Sequence, residues 1–98
     1  MYIKRKYLND LLIYLQKIYG LYFVEFRYTQ GGKQEIILCS PKNKDWWISI
    51  ILSSYFRVFV TIAMTSKNNV LKNTIKENLR NGLYKNYCKK YKVTWLSL

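Results

Sequence analysis

Histidine is absent from this sequence, and cysteine, proline and acidic residues are scarce. Without histidine, a general base near neutral pH would need a glutamate or lysine with a strongly shifted pKa. Cys39 and Cys88 fit no close ligand spacing, so a tetrahedral zinc site is nearly excluded. The five acidic residues show no paired spacing for two metal ions. Gly31-Gly32 is not followed by a helix, so it makes no phosphate loop. These absences favour a non-catalytic protein without metal or cofactor.

The two cysteines could form one disulfide bridge, but the amino-terminal sequence argues for a reducing compartment. The first twenty residues are basic and then apolar, which is how a secretion signal begins. Asn9 and Asp10 interrupt the apolar stretch, and no small-residue cleavage site follows. We therefore expect a cytoplasmic protein with Cys39 and Cys88 reduced.

Positive charge dominates the composition. Seventeen Lys and Arg residues against five Asp and Glu residues give a formal charge of +12 at pH 7. Solubility alone needs a net charge of only about 2 to 8 in a small domain. The excess predicts a polyanionic partner, of which nucleic acid is the commonest. An anionic membrane surface and an acidic protein are the alternative partners.

The longest apolar run, residues 46–64, has the length of one membrane-crossing helix and contains a single charge, Arg57. We interpret the run as two strands because it is rich in β-branched residues and Ser53-Ser54 offers a break in its middle. A spanning helix would also place Arg57 near the bilayer centre, which is costly. The run therefore predicts a hairpin.

A three-residue connection, 53–55, gives this hairpin one wholly apolar face. In that register Leu52 faces Phe56 and Ile50 faces Val58. A two-residue turn would set Ile50 opposite Arg57, and serine is poorly suited to the positive φ angles of such a turn. The opposite, mixed face then carries Trp47, Ser49, Ile51, Arg57, Phe59 and Thr61.

An earlier pair of strands is predicted on either side of Gly31-Gly32, a dipeptide that suits a tight two-residue turn. The strands cover residues 21–29 and 33–40. In that register the pairs are Val24 with Cys39, Phe26 with Ile37 and Tyr28 with Glu35. Glu25 and Glu35 then lie on opposite faces of the hairpin.

Helical spacing of apolar residues predicts a first helix over residues 7–19 and a second over 69–81, with a third after Gly82. Gly20 and Gly82 are suited to end the first two helices. Residues 93–98 could form a short closing strand. The sequence thus predicts one α+β domain over residues 1–98, with a four-stranded antiparallel sheet of two hairpins and the helices on one face.

The strongest functional signal lies in residues 67–92, which contain eight Lys and Arg residues and one acidic residue, Glu77. The net charge of this segment is therefore +7, out of +12 for the whole sequence. Lysines neutralise phosphates and release counterions, and aromatic rings stack on unpaired bases at about 1 to 3 kcal/mol each. The mixed face of the second hairpin repeats this pairing of cation and ring. The predicted nucleic-acid-binding residues are Lys67, Lys72, Lys76, Arg80, Lys85, Lys89, Lys90, Lys92, Tyr84, Tyr87, Tyr91, Arg57, Trp47, Phe59 and Arg27.

Each of these groups also has a purely structural interpretation. Trp47, Phe59 and the row of tyrosines could belong to the core, as most large rings in a small domain do. The lysine row could be a solvated helix face, although such faces normally mix both signs of charge. Upstream, Lys4-Arg5-Lys6 is either a phosphate-binding cluster or a solvated arm.

The sequence favours a non-catalytic protein that binds single-stranded DNA or RNA with little sequence preference. Its small size suggests an accessory subunit of a larger replication protein or of a mobile element. Three alternatives stay open. In size and basicity the chain resembles small bacterial toxins that cleave messenger RNA with Lys, Arg and Tyr. It could also be a phage-type inhibitor of a host protein, or a small membrane protein spanning residues 46–64.

Overall fold

The computed structural model describes residues 1–42, 45–64 and 69–91 and, in the last helix, the side chains up to Tyr87. The chain order confirms the predicted α+β class. The elements are β1 (Tyr2–Lys4), a 3-10 turn (Arg5–Tyr7), α1 (Leu8–Tyr19), β2 (Tyr22–Tyr28), β3 (Gln34–Cys39), β4 (Trp46–Ile51), β5 (Arg57–Met64), α2 (Asn69–Arg80) and α3 (Leu83–Tyr91).

One antiparallel sheet contains all five described strands, in the order β1-β5-β4-β3-β2. Strands β2 to β5 follow one another as a meander, and β1 pairs with the outer side of β5, with Ile3 opposite Val58. The fifth strand thus comes from the amino-terminal end of the described chain, where the sequence predicted either a phosphate-binding cluster or an arm. The closing strand predicted over 93–98 lies outside the described residues.

The three helices share one core with one face of the sheet. Alternate residues of the central strands, including Ile48, Ile50 and Val60, are buried against them. Helix α1 contributes Leu11 and Leu15 to the same cluster, and it ends at Gly20, whose φ of 65° is the left-handed value that glycine adopts without strain. Helix α2 contributes Ile75 and Leu79 to this core, and their burial fixes the orientation of the helix that carries Lys72, Lys76 and Arg80.

The β4–β5 hairpin has the predicted faces but a different register. Ile50 pairs with Val60, two residues beyond the predicted partner, and the connection covers the five residues 52–56. The Ser54 hydroxyl accepts hydrogen bonds from the amides of Phe56 and Arg57, each at 3.2 Å. The Ser54 side chain therefore stabilises the connection through hydrogen bonds that backbone groups would make in a tight turn. Because the shift is an even number of residues, the residues within both strands stay on their predicted faces. Phe56, predicted on the apolar face opposite Leu52, instead lies in the connection and is exposed.

The β2–β3 hairpin corrects the prediction more deeply. Its loop has three residues, closed by a 2.8 Å hydrogen bond from the Thr29 amide to the Lys33 carbonyl, and Gly32 takes a positive φ of 79°. The extra residue moves the register by one, so Arg27 instead of Tyr28 pairs with Glu35. Glu25 and Glu35 therefore share a face, contrary to the prediction.

Residues 46–64 thus form two strands of the sheet and not one continuous helix. Among the described residues, every helix is too short or too polar to cross a bilayer.

Candidate nucleic-acid interface

Three basic side chains of α2 line one groove. Lys72, Lys76 and Arg80 each follow an apolar residue by one position, and two of those, Ile75 and Leu79, are fully buried in the core. One residue advances an α-helix by about 100°, so the cations lie at the flank of the buried stripe and not opposite it. They therefore line an open groove of about 340 Å³ between α2 and β5. This groove is called the α2 groove below.

The amino group of Met1 also lines the α2 groove. The Met1 ammonium donates a hydrogen bond of 3.2 Å to the Val60 carbonyl and lines the same groove. Its burial, followed by the nearby charges of Lys76 and Arg80, lowers its pKa below the ordinary value. The lowered pKa therefore reflects burial first and the repulsion of two neighbouring cations second.

A second groove, of about 300 Å³, continues from the first between β1 and the two carboxyl-terminal helices. It is called the β1 groove, and it shares Met1, Leu79 and Arg80 with the α2 groove. Lys4 and Lys85 add cations to its walls. The ammonium of Lys85 lies 5.1 Å from the centroid of the Tyr7 ring, which holds the lysine over an aromatic face.

Two aromatic rings stand in solvent at the end of the β4–β5 connection. Tyr55 is 88% exposed and Phe56 is 81% exposed. Lys4, Lys6 and Arg57 surround them in a shallow depression of about 380 Å³. This group of five residues is called the loop tip. Large rings with that exposure contribute little to the core, and an exposed apolar pair rimmed by cations is typical of an interaction site.

The loop tip is held in place from the side of β1. The Arg5 amide donates to the Phe56 carbonyl at 2.7 Å, and the Arg5 guanidinium donates to the Ser54 carbonyl at 3.0 Å. The guanidinium carbon of Arg57 lies 4.4 Å from the centroid of the Tyr2 ring. These contacts fix the backbone that carries the exposed rings, while the rings themselves stay open.

Together the three regions make one surface, because neighbouring regions share residues. The α2 groove meets the β1 groove at Arg80, and the β1 groove meets the loop tip at Lys4. None of the described residues lining them is acidic. The cationic surface, as it is called below, comprises Lys4, Lys6, Arg57, Lys72, Lys76, Arg80 and Lys85.

The other predicted hairpin residues, Trp47, Phe59 and Arg27, take different positions on the sheet. Trp47 and Phe59 are half-buried on the sheet face that turns away from the helices, and the Phe59 ring packs 5.0 Å from Tyr2. Arg27 is on the far side of the sheet, where its Nε donates a 2.6 Å hydrogen bond to Glu35. Phe59 also lines the α2 groove, so the structure places it at the cationic surface, whereas Trp47 and Arg27 line none of the three regions.

Two of the predicted tyrosines pack inside the protein. Tyr84 is buried in the core with its ring edge-on to Tyr7, at 6.1 Å between centroids. Tyr87 is half-buried and meets Tyr14 edge-on at 5.8 Å. Tyr84 also lines the β1 groove, although its ring is almost wholly buried. The side chains of Lys89, Lys90 and Tyr91 in α3, together with Lys67 and Lys92, lie outside what the structure describes.

Sequence reasoning missed Tyr55 and Phe56 as candidate contacts. It placed Tyr55 in a turn and Phe56 in a strand, because a three-residue connection was assumed. Two large rings beside a pair of serines, in a segment otherwise committed to the core, were the available signal. No family model, curated protein or solved structure matches this chain.

Proposed function

We propose that this protein binds single-stranded nucleic acid with little sequence preference and without catalysis of its own. The observation that carries the proposal is the cationic surface. Its seven Lys and Arg side chains come from β1, the 3-10 turn, β5, α2 and α3, and no acidic residue belongs to the described lining. A polyphosphate chain is the ligand that such a surface binds most strongly, because each neutralised phosphate releases counterions.

The loop tip supports a preference for single strands. Tyr55 and Phe56 present open ring faces among three cations. Unpaired bases stack on such rings whatever their sequence, whereas the bases of a duplex are already stacked on one another. The proposal keeps the cytoplasmic setting predicted from the sequence and the role of an accessory subunit in replication or on a mobile element.

The direct test is a salt series. Fluorescence anisotropy would follow the purified protein binding to labelled single-stranded DNA, single-stranded RNA and duplex DNA of matched length. We expect log affinity to fall linearly with log salt, with a slope that approaches about −5 if all seven cations contact phosphates of a single strand. We also expect the single strands to bind more tightly than the duplex. Affinity that is unchanged between low and moderate salt would refute the proposal.

A further inference from the structure

Strand β2 forms the outer edge of the sheet and is exposed along its whole length. All seven of its residues are exposed, including Val24 at 59% and Tyr28 at 65%. Phe26 adds another half-exposed ring. A long apolar edge strand is a template for pairing with another strand, which is why most proteins shield such edges. The pairing with β3 is irregular at Val24, but from Glu25 to Tyr28 the strand is regular, and β3 is its only described strand partner.

The backbone direction along β2 follows from the hairpin. The Thr29 amide donates to the Lys33 carbonyl, so the backbone groups of Thr29 face β3. Backbone groups alternate along an antiparallel strand, and those of Arg27 and Glu25 therefore face β3 as well. The groups of Phe26 and Tyr28 face away from the sheet. An incoming strand would find its hydrogen-bond donors and acceptors there.

Charge indicates what covers this edge. Residues 21–39 contain two cations, Arg27 and Lys33, and two acids, Glu25 and Glu35, so the hairpin is neutral in a chain of +12. A polyanion gains nothing from a neutral edge. A second copy of this chain, by contrast, meets no repulsion there, although copies repel strongly at their other surfaces.

We propose that two copies pair through β2, antiparallel, about a two-fold axis at Phe26. The backbone groups of Phe26 face outward, so the two copies of this residue exchange both hydrogen bonds. Glu25 of each copy then lies opposite Arg27 of the other, within the regular part of β2 that begins after the irregularity at Val24. The arrangement is self-complementary, as a two-fold interface must be.

The charges select this register over its neighbour. Moving one copy along by two residues would pair Phe26 with Tyr28 of the second copy and keep the backbone hydrogen bonds. It would also set Arg27 directly opposite its own counterpart. Like charges directly opposite destabilise an antiparallel pair, whereas opposite charges stabilise it. Only the register centred on Phe26 gives two opposite-charge pairs.

Mass measurement of the full chain tests the proposal. Light scattering coupled to size exclusion should give twice the monomer mass of 11.9 kDa at high protein concentration and fall towards one monomer mass on dilution. Glu25→Arg places four arginines at the interface and should raise the dimer dissociation constant by about tenfold. Glu77→Arg is the matched control, since it makes the same charge change at an exposed site on α2 and should leave the constant unchanged.

A cysteine scan tests the register separately. Facing residues of a hydrogen-bonded antiparallel pair have Cα atoms about 5.5 Å apart, within reach of a disulfide. Phe26→Cys should therefore give a covalent dimer under mild oxidation. Tyr22→Cys should not, because it is eight residues of strand, about 26 Å, from its counterpart. Wild-type protein reports any bridge through the native cysteines. A monomeric mass at every concentration, or equal crosslinking of both variants, would overturn the proposal. Both readouts are made without nucleic acid, so their outcome is independent of the proposed binding function.

Discussion

The Tyr19 hydroxyl accepts a hydrogen bond from Nδ2 of Asn78, with 2.8 Å between the two atoms. This contact joins the end of α1 to α2, fifty-nine residues later in the chain. Tyr19 also neighbours Tyr14, whose pKa is raised to about 12 by burial first and by the charge and hydrogen bond of Tyr19 next. The helix that carries Lys72, Lys76 and Arg80 is therefore positioned by a polar contact as well as by Ile75 and Leu79.

The first prediction concerns that contact. Tyr19→Phe removes the acceptor and leaves the Asn78 amide without it, and it should lower the free energy of unfolding by about 0.5 to 1.5 kcal/mol. Urea unfolding followed by circular dichroism measures the change. Tyr22→Phe is a suitable control because Tyr22 is exposed at the sheet edge. Equal stability of the two variants would show that Asn78 finds another partner at no cost.

The second prediction concerns the α2 groove. Replacing Lys72, Lys76 and Arg80 together by alanine should weaken binding to all single strands alike and make the salt slope shallower by about 2, since each lost phosphate contact contributes about 0.7. The matched control replaces Lys17, Lys33 and Lys42, three exposed cations that are not part of the cationic surface. If the control lowers affinity and slope equally, total charge and not the groove governs binding.

The third prediction concerns the loop tip. Replacing Tyr55 and Phe56 by serine removes two stacking faces and should weaken binding to single strands by about 1 to 3 kcal/mol per stacked base. The salt slope should stay the same, because no cation is lost. Affinity for duplex DNA should change little, so the ratio of the two affinities is the decisive measurement. Thermal stability should be unaffected, since both rings are exposed. A parallel loss for duplex and single strand would assign the rings a structural role.

The fourth prediction concerns pH. Glu35 is buried, and hydrogen bonds from Ser49 and then from Arg27 lower its pKa below the ordinary value. A carboxylate with a lowered native pKa stabilises the fold fully above the ordinary glutamate value of about 4.3. That stabilisation is lost as the pH falls through the native pKa.

Glu35→Gln measures this contribution. The variant should be less stable than the wild type at pH 7, and the difference should shrink towards zero in strong acid, where the wild-type carboxyl is protonated as well. Urea unfolding at a series of pH values gives the comparison. Glu77→Gln, at an exposed site on α2, is the control. If the difference in the free energy of unfolding stayed constant with pH, the loss of stability would come from altered packing or hydrogen-bond geometry and not from the loss of the charge.

Element order could be predicted from the sequence because each element is encoded locally. Apolar spacing gave α1, α2 and α3, and the β-branched run gave β4 and β5. The register of the two hairpins could not be predicted, because it depends on loop conformations that single residues determine. Hydrogen bonds to the Ser54 hydroxyl stabilise a longer β4–β5 connection, and the left-handed Gly32 belongs to a longer β2–β3 loop than predicted. Strand β1 was also missed, since three residues with one buried side chain, Ile3, leave no periodic pattern.

The candidate site was predictable in part for the same reason. A helix fixes the direction of residues four apart, so the row of Lys72, Lys76 and Arg80 followed from the sequence alone. The adjoining Lys4 and Lys6 reach the surface through β1, whose pairing with β5 joins parts of the chain more than fifty residues apart. The tyrosines of α3 share helical spacing with a core stripe, and spacing cannot distinguish packing from stacking.

The strand order places the cationic surface near one edge of the sheet and the neutral β2 at the other. Occupation of one edge therefore leaves the other accessible. In a paired sheet of ten strands, the two outermost strands stand about 43 Å apart at a spacing of about 4.8 Å. A single-stranded nucleic acid long enough to reach both cationic surfaces of the dimer would be bound at two sites. It would be released only if it dissociated from both sites before rebinding to either. The dimer should then stay bound to long nucleic acids for much longer than to short ones, by more than the additional contacts alone would explain. This gain is avidity, and it depends on the distance between the two sites.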